Sequence, residues 1–272
     1  MKQVLFIGAG HEFPKGPFAF LHAMLLQERL HAKALFFRPV DYATLAAASA
    51  ITGIGPILDL DDHEKDVVEE HKTQFARQCE QHHLLYDIHE NNRAWDKDLV
   101  IGESRFVDLI LVSGEQFYAE ADHHQPNSFL RETLHVAECP VIVVPEDFSK
   151  IQHLFMAYDG SKESMYAIKQ FCYLFPHLTD LPTEIVYAKD ETSNSIPDLD
   201  RLKQFTRSKL NCMSFSKLHF SASRYFATWI NDKTNVMLIS GSFGRSVFHY
   251  ATRRSFAEEI IRSHKQPIFI AH

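Results

Sequence analysis

Residues 236–255, VMLISGSFGRSVFHYATRRS, bring glycines, arginines and a serine together in a spacing suited to phosphate. An apolar strand, Val236 to Ile239, runs into Gly241 and Gly244, and Ser255 stands where a helix is expected to begin. Glycines let backbone N–H groups approach a ligand closely, and a helix start adds partial positive charge. Ser255 with Glu258 makes a capping box, so the serine has a structural task whether or not a ligand arrives. Arg245, Arg253 and Arg254 surround the turn. A guanidinium there could pair with a phosphate, fill its space, or simply charge the surface. An ordinary strand-to-helix loop would explain the same glycines. Phe243 and Phe248, in the same loop, would either shield a ligand from water or plug an empty site.

A second cluster lies in MAYDGSKESMYAI. Asp159 falls where a strand ends, Gly160 allows a tight turn, and Ser161 is placed to cap the helix that follows. The carboxylate could accept hydrogen bonds from a ribose hydroxyl or an adenine amine. It could also do no more than close the Gly160–Ser161 turn.

These two clusters belong to an internal repeat. An apolar strand opens each half, Val4 to Ile7 and His153 to Tyr158, followed by an amphipathic helix, Pro17 to Leu30 or Lys162 to Phe175. Then come a strand (Ala34 to Phe37, Glu184 to Tyr187) and a polar helix (Asp62 to His82, Asp198 to Asn211). Short third elements precede the most apolar strands, Val107 to Val112 and Val236 to Ile239. Each half closes on a helix, a proline and a β-branched strand, in AECPVIVVP (Ala137 to Pro145) and SHKQPIFIA (Ser263 to Ala271). Alternating strands and helices imply right-handed crossovers and a largely parallel sheet. Strands apolar on both faces expect helices on both sides. The reading is two α/β domains, 1–147 and 151–272, joined near Glu146 to Lys150. Asp41 to Gly55 has no counterpart in the second half and is expected to be a surface insertion or short helix.

Composition narrows the classes. The chain has 272 residues, 45% of them apolar, which is enough for two packed cores. A net charge of −7 argues against a protein built to wrap nucleic acid. Cys79, Cys139, Cys172 and Cys212 form no CxxC pair, so reduced thiols in a cytoplasmic protein are expected, not a disulfide framework or structural zinc. The opening MKQVLFIGAG reads as a first strand and not a signal peptide, and no run nears the ~20 apolar residues of a membrane span.

With the repeat in view, almost the whole chain resembles a tandem universal stress protein. The motifs that carry the resemblance are specific only in the second half. Asp159 matches the family's strand-terminal Asp, which implies a contact with adenine and ribose. Gly241, two residues, Gly244, nine residues and then Ser255 match its nucleotide motif, while Arg254 replaces the third glycine. The resemblance implies a five-stranded parallel sheet with helices on both faces in each domain, of the adenine nucleotide alpha hydrolase-like kind. It implies a nucleotide at the carboxyl edge of the sheet, and pairing of the two halves as an internal pseudo-dimer, with homodimer formation open.

The first half departs from that pattern. Its opening strand ends in Ile7–Gly8–Ala9–Gly10 with no Asp, and its later loop keeps Gly114 but has Phe117 and Asn127 at the other glycine positions, before Ser128. A phenyl ring where bare backbone is wanted, with Glu115, Glu120 and Asp122 nearby, argues against nucleotide there.

Other signals lead less far. GAGHEFPKG lacks the GxGxxG spacing, and Arg38 and Pro39 stand where a dinucleotide fold places an acid. P-loop and GxSxG motifs are missing. The 17 histidines include His82–His83, His123–His124 and Asp61–Asp62–His63. Adjacent residues point apart on a helix, so surface histidine is the expectation and no metal site is assigned; an Asp122–His123–His124 site is a fringe alternative.

The expected function is a stress-response protein that binds ATP or AMP in its second domain, with Mg²⁺ accompanying ATP. The binding set is Asp159, Gly160, Ser161, Gly241, Gly244, Arg245, Arg254 and Ser255. No catalytic residue is assigned, and slow ATP hydrolysis is the most an enzyme reading would allow. The alternative is a nucleotide-free interaction module with both sites lost.

Overall fold

The computed structural model describes residues 1–38, 62–90, 96–117, 128–187, 195–217, 229–230, 232–241 and 265–271. The first half holds β1 (Lys2–Gly8), α1 (Lys15–Leu25), β2 (Leu30–Phe36), α2 (Asp62–Gln81) and β3 (Leu85–Ile88). It continues with α3 (Lys97–Ser104), β4 (Leu109–Ser113), α4 (Ser128–Val136) and β5 (Val141–Val144). The second half holds β6 (His153–Tyr158), α5 (Lys162–Leu174), β7 (Thr183–Tyr187), α6 (Leu199–Arg207), β8 (Met213–Lys217), β9 (Val236–Gly241) and β10 (Ile268–Ala271).

All ten strands form one sheet in the order β3-β2-β1-β4-β5-β10-β9-β6-β7-β8. The order within each half mirrors the other. Pairing is parallel inside each half. The halves join where β5 and β10 pair antiparallel, Ile268 opposite Val143 and Ile270 opposite Val141.

Strand alternation sends the apolar side chains to two cores, one on each face of the sheet. Val4 and Phe6 share one face with Leu154, Met156, Met237 and Ile239, under α1, α2, α5 and α6. Leu5 and Ile7 share the other with Phe155, Val236 and Leu238, under α3 and α4. Both cores are therefore continuous across the two halves. Rings bind the junction: Phe20 of α1 lies 5.2 Å from Phe148, and Phe175 lies 6.0 Å from Phe269 of β10. Lys2 adds a polar tie from the first half to the second. Its ammonium pairs with Glu28, donates to the carbonyl of Leu174 at the end of α5, and stands 5.3 Å from the Phe175 ring. A cation suits the negative end of a helix.

Some boundaries differ from the sequence reading. The helix read as Pro17 to Leu30 stops at Leu25, and the strand read as Ala34 to Phe37 starts at Leu30. The reason is register: Lys2 of β1 sits opposite Leu30, so β2 must run as far back as β1 does. The second-half helix read as Asp198 to Asn211 is Leu199–Arg207, with Asp198 at φ 49° before it. Asp41 to Gly55 lies outside the described residues. Among the described residues, no helix is long and apolar enough to cross a membrane.

Candidate functional site

Four of the eight candidate residues are described: Asp159, Gly160, Ser161 and Gly241. Gly244, Arg245, Arg254 and Ser255 lie outside the described residues, as do Arg253, Glu258, Phe243 and Phe248.

The four converge on the first turn of α5. β6 delivers Asp159 exposed at its carboxyl end, and the Asp159 carboxylate accepts from the Ser161 N–H at 2.9 Å. Gly160 sits at φ +82°, a left-handed conformation that other residues adopt poorly. Ser161 is extended and caps α5, its Oγ accepting from the Ser164 N–H at 3.1 Å. Gly241 arrives from the neighbouring strand. A β-carbon there would stand 2.6 Å from both the Glu163 carbonyl carbon and the Ser164 nitrogen. This glycine is thus required by the close packing of the end of β9 on α5, independently of any phosphate. The turn, the helix N-terminus and the end of β9 form one continuous edge.

A flank of this edge was not found from the sequence. The Tyr158 hydroxyl donates to the Pro197 carbonyl at 3.1 Å, and Pro197 lies where a side chain at Gly160 would reach, at 3.2 Å. Burial, with Asp198 and Asp159 adding negative charge, raises the Tyr158 pKa. The signal for this flank was Pro197–Asp198, a turn pair just ahead of a helix.

The equivalent edge of the first half is built otherwise. Gln116, in a short turn after β4, accepts from the Ala9 N–H at 3.1 Å and donates to the Glu12 carbonyl at 2.5 Å. A β-carbon on Gly10 would come within 2.9 Å of Gln116 Cγ, and one on Gly8 within 2.7 Å of the Phe36 ring. The N-terminus of α1 has no cap from Pro14. Instead the Glu146 carboxylate accepts from the Gly16 N–H at 2.8 Å and from Ser113 Oγ at 2.5 Å. Burial raises the Glu146 pKa against the pull of those two bonds, and the Glu115 carboxylate adds to the rise. One carboxamide and one carboxylate of the chain fill this edge. The sequence reading looked to Phe117 for the obstruction; Gln116 beside it supplies the bonds. Glu120, Asp122, His123, His124 and Asn127 lie outside the described residues.

The remaining chemistry is sparse. Burial pushes the thiols of Cys79 and Cys139 up to about 12 and that of Cys172 up to about 11, so none is a thiolate nucleophile near neutral pH. Among the described residues, no group of three or more His, Cys, Asp or Glu side chains could hold a metal ion. The His82 ring lies 4.0 Å from that of His22, tilted by 36°, and burial, with the charge of His82 adding to it, lowers the His22 pKa.

No family model matches the chain, and a search of curated proteins finds no match. Solved structures do match. The chain is similar to a universal stress protein from Archaeoglobus fulgidus DSM 4304, with 17% identity, a TM-score of 0.70, and coverage of 99% of this chain and 96% of that one. It is also similar to a Pseudomonas aeruginosa UCBPP-PA14 protein described as a candidate universal stress protein, at 13% identity and a TM-score of 0.55, covering 99% and 92%. At these identities the likeness establishes the fold: two universal stress protein-like units in tandem.

Proposed function

We propose that this chain is a cytoplasmic, tandem universal stress protein serving a stress response, and that its second half binds one adenine nucleotide in a regulatory role. The proposed units are 1–147 and 151–272, and the antiparallel β5–β10 pairing supports reading them as an internal pseudo-dimer. The observation that supports binding is the second-half carboxyl edge. There exposed Asp159, the Gly160 turn and the capped start of α5 meet the end of β9. Open α/β sheets take ligands at such edges. Asp159 would hold the nucleoside. Gly241, Gly244 and Ser255 would face the phosphates of ATP or AMP, with Arg245 and Arg254 available as cations and Mg²⁺ accompanying ATP. The role proposed is sensing and not turnover.

The nucleotide-free reading draws on one observation of its own: Pro197 occupies the space into which a side chain at Gly160 would reach, 3.2 Å from its β-carbon. Calorimetry with ATP and AMP separates the two. Binding in wild type that weakens at least tenfold in Asp159→Asn supports the nucleotide reading, because Asn keeps the acceptor of the Ser161 bond and removes only the charge. No heat from a folded wild-type sample supports the module.

A further inference from the structure

Arg38 is a buried cation without a described counterion. It follows β2 by two residues, is 7% exposed, and has Nε and Nη1 buried with no hydrogen-bond partner. An unpaired charge withdrawn from water is strongly unfavourable. A guanidinium has no neutral form to retreat to, unlike a buried lysine.

Four of the described acids of the first half are engaged elsewhere. Glu69 and Glu90 both take Lys72, at 2.8 and 2.9 Å. Asp87 pairs with His31, and Glu103 with Lys33. Glu12 and Glu70 are exposed. Phe37 continues the β1 ladder through its N–H to the Gly8 carbonyl at 2.8 Å, which fixes Arg38 at the carboxyl end of β2. Phe36 lies in the core under α1 and α2 and Phe37 in the opposite one, so alternation gives Arg38 the side of Phe36. On that side His71 of α2 packs against Phe36 and Phe13, at 5.9 and 6.0 Å. Burial lowers the His71 pKa, with a backbone bond to His11 pulling the other way.

We infer that Arg38 anchors a small-oxyanion site at the carboxyl end of β2 in the first half, taking a phosphate- or carboxylate-bearing molecule. It uses none of the groups that Gln116 and Glu146 bond at the ends of β1 and α1, and it does not depend on nucleotide in the second half. Donors of a guanidinium match both kinds of oxyanion.

The test is calorimetry and thermal unfolding of the full chain with inorganic phosphate and, in a second arm, malonate, at constant ionic strength. Wild type is expected to bind one of the two saturably and to unfold at a higher temperature with it. The responding arm tells phosphate from carboxylate. Arg38→Met is expected to unfold no lower than wild type without the anion, and to lose at least tenfold in anion affinity. Arg38→Gln serves the same affinity comparison if the methionine variant does not fold. Three results would each overturn the site: no saturable binding of either anion by wild type, unchanged affinity in a folded variant, or a folded Arg38→Met that unfolds well below wild type without anion. The last would mean that the arginine is already paired within the chain.

Discussion

At the carboxyl edge of the first half, β1 ends in Gly8–Ala9–Gly10, a glutamine bonds that loop twice, and a glutamate caps the start of α1. At the matching edge of the second half, β6 ends in an exposed aspartate and α5 is capped by its own Ser161. Both edges meet the same requirement, partners for the free N–H groups of a helix start. One meets it with a neighbour in sequence, the other with a carboxylate from far along the chain. Glu146 itself places a carboxyl group at a helix N-terminus, the place where such folds receive phosphate. The first half thus supplies internally what a ligand would bring.

Glycine substitutions break the comparison most severely. In Gly16→Ala the new β-carbon would stand 2.0 Å from the Pro145 carbonyl oxygen, so the Pro145–Glu146 backbone must move. The expected loss is about 3 kcal/mol in urea unfolding. Gly241→Ala meets backbone at 2.6 Å and should lose about 2 kcal/mol. The reverse order would show that the first edge is the looser one. Next comes Gln116→Ala, which strips the Ala9 N–H and the Glu12 carbonyl of their partner, for about 1.5 kcal/mol. Ser161→Ala removes a local cap and should cost about 1 kcal/mol.

The capping contrast also explains what could be read from the chain. Ser161 and the Asp159–Gly160 turn were legible because their partners are two or three residues away. The repeat and the parallel sheet were legible in the alternation of apolar strands and amphipathic helices. Gln116 and Glu146 were not, because their backbone partners lie 107 and 130 residues distant and nothing local marks them. Gly241 was read as a phosphate glycine; its contact with Glu163 and Ser164 depends on β9 lying beside β6, which only the sheet order reveals. Arg38 was seen only as the residue that spoils a dinucleotide site. Its burial comes from packing that no periodicity records.

The smallest expected effect is a pH signature. The Glu146 pKa is raised in the folded state above its ordinary 4.5, so the folded state holds the proton more tightly. Its contribution to stability is present below the unfolded value and is lost as pH rises through the folded one. Glu146→Gln should therefore show a flatter decline than wild type across the interval above pH 4.5, read from urea midpoints at successive pH values. Parallel curves would mean that Glu146 is not held as the plug of the first edge.

The comparison stands or falls on how many nucleotides one chain holds. Equilibrium dialysis of labelled ATP against the full chain counts them directly. One site per chain, lost in Asp159→Asn and retained in Gln116→Ala, is the result expected of an open second edge and a closed first one. Two sites, or one site that survives Asp159→Asn, would contradict the division of labour between the halves.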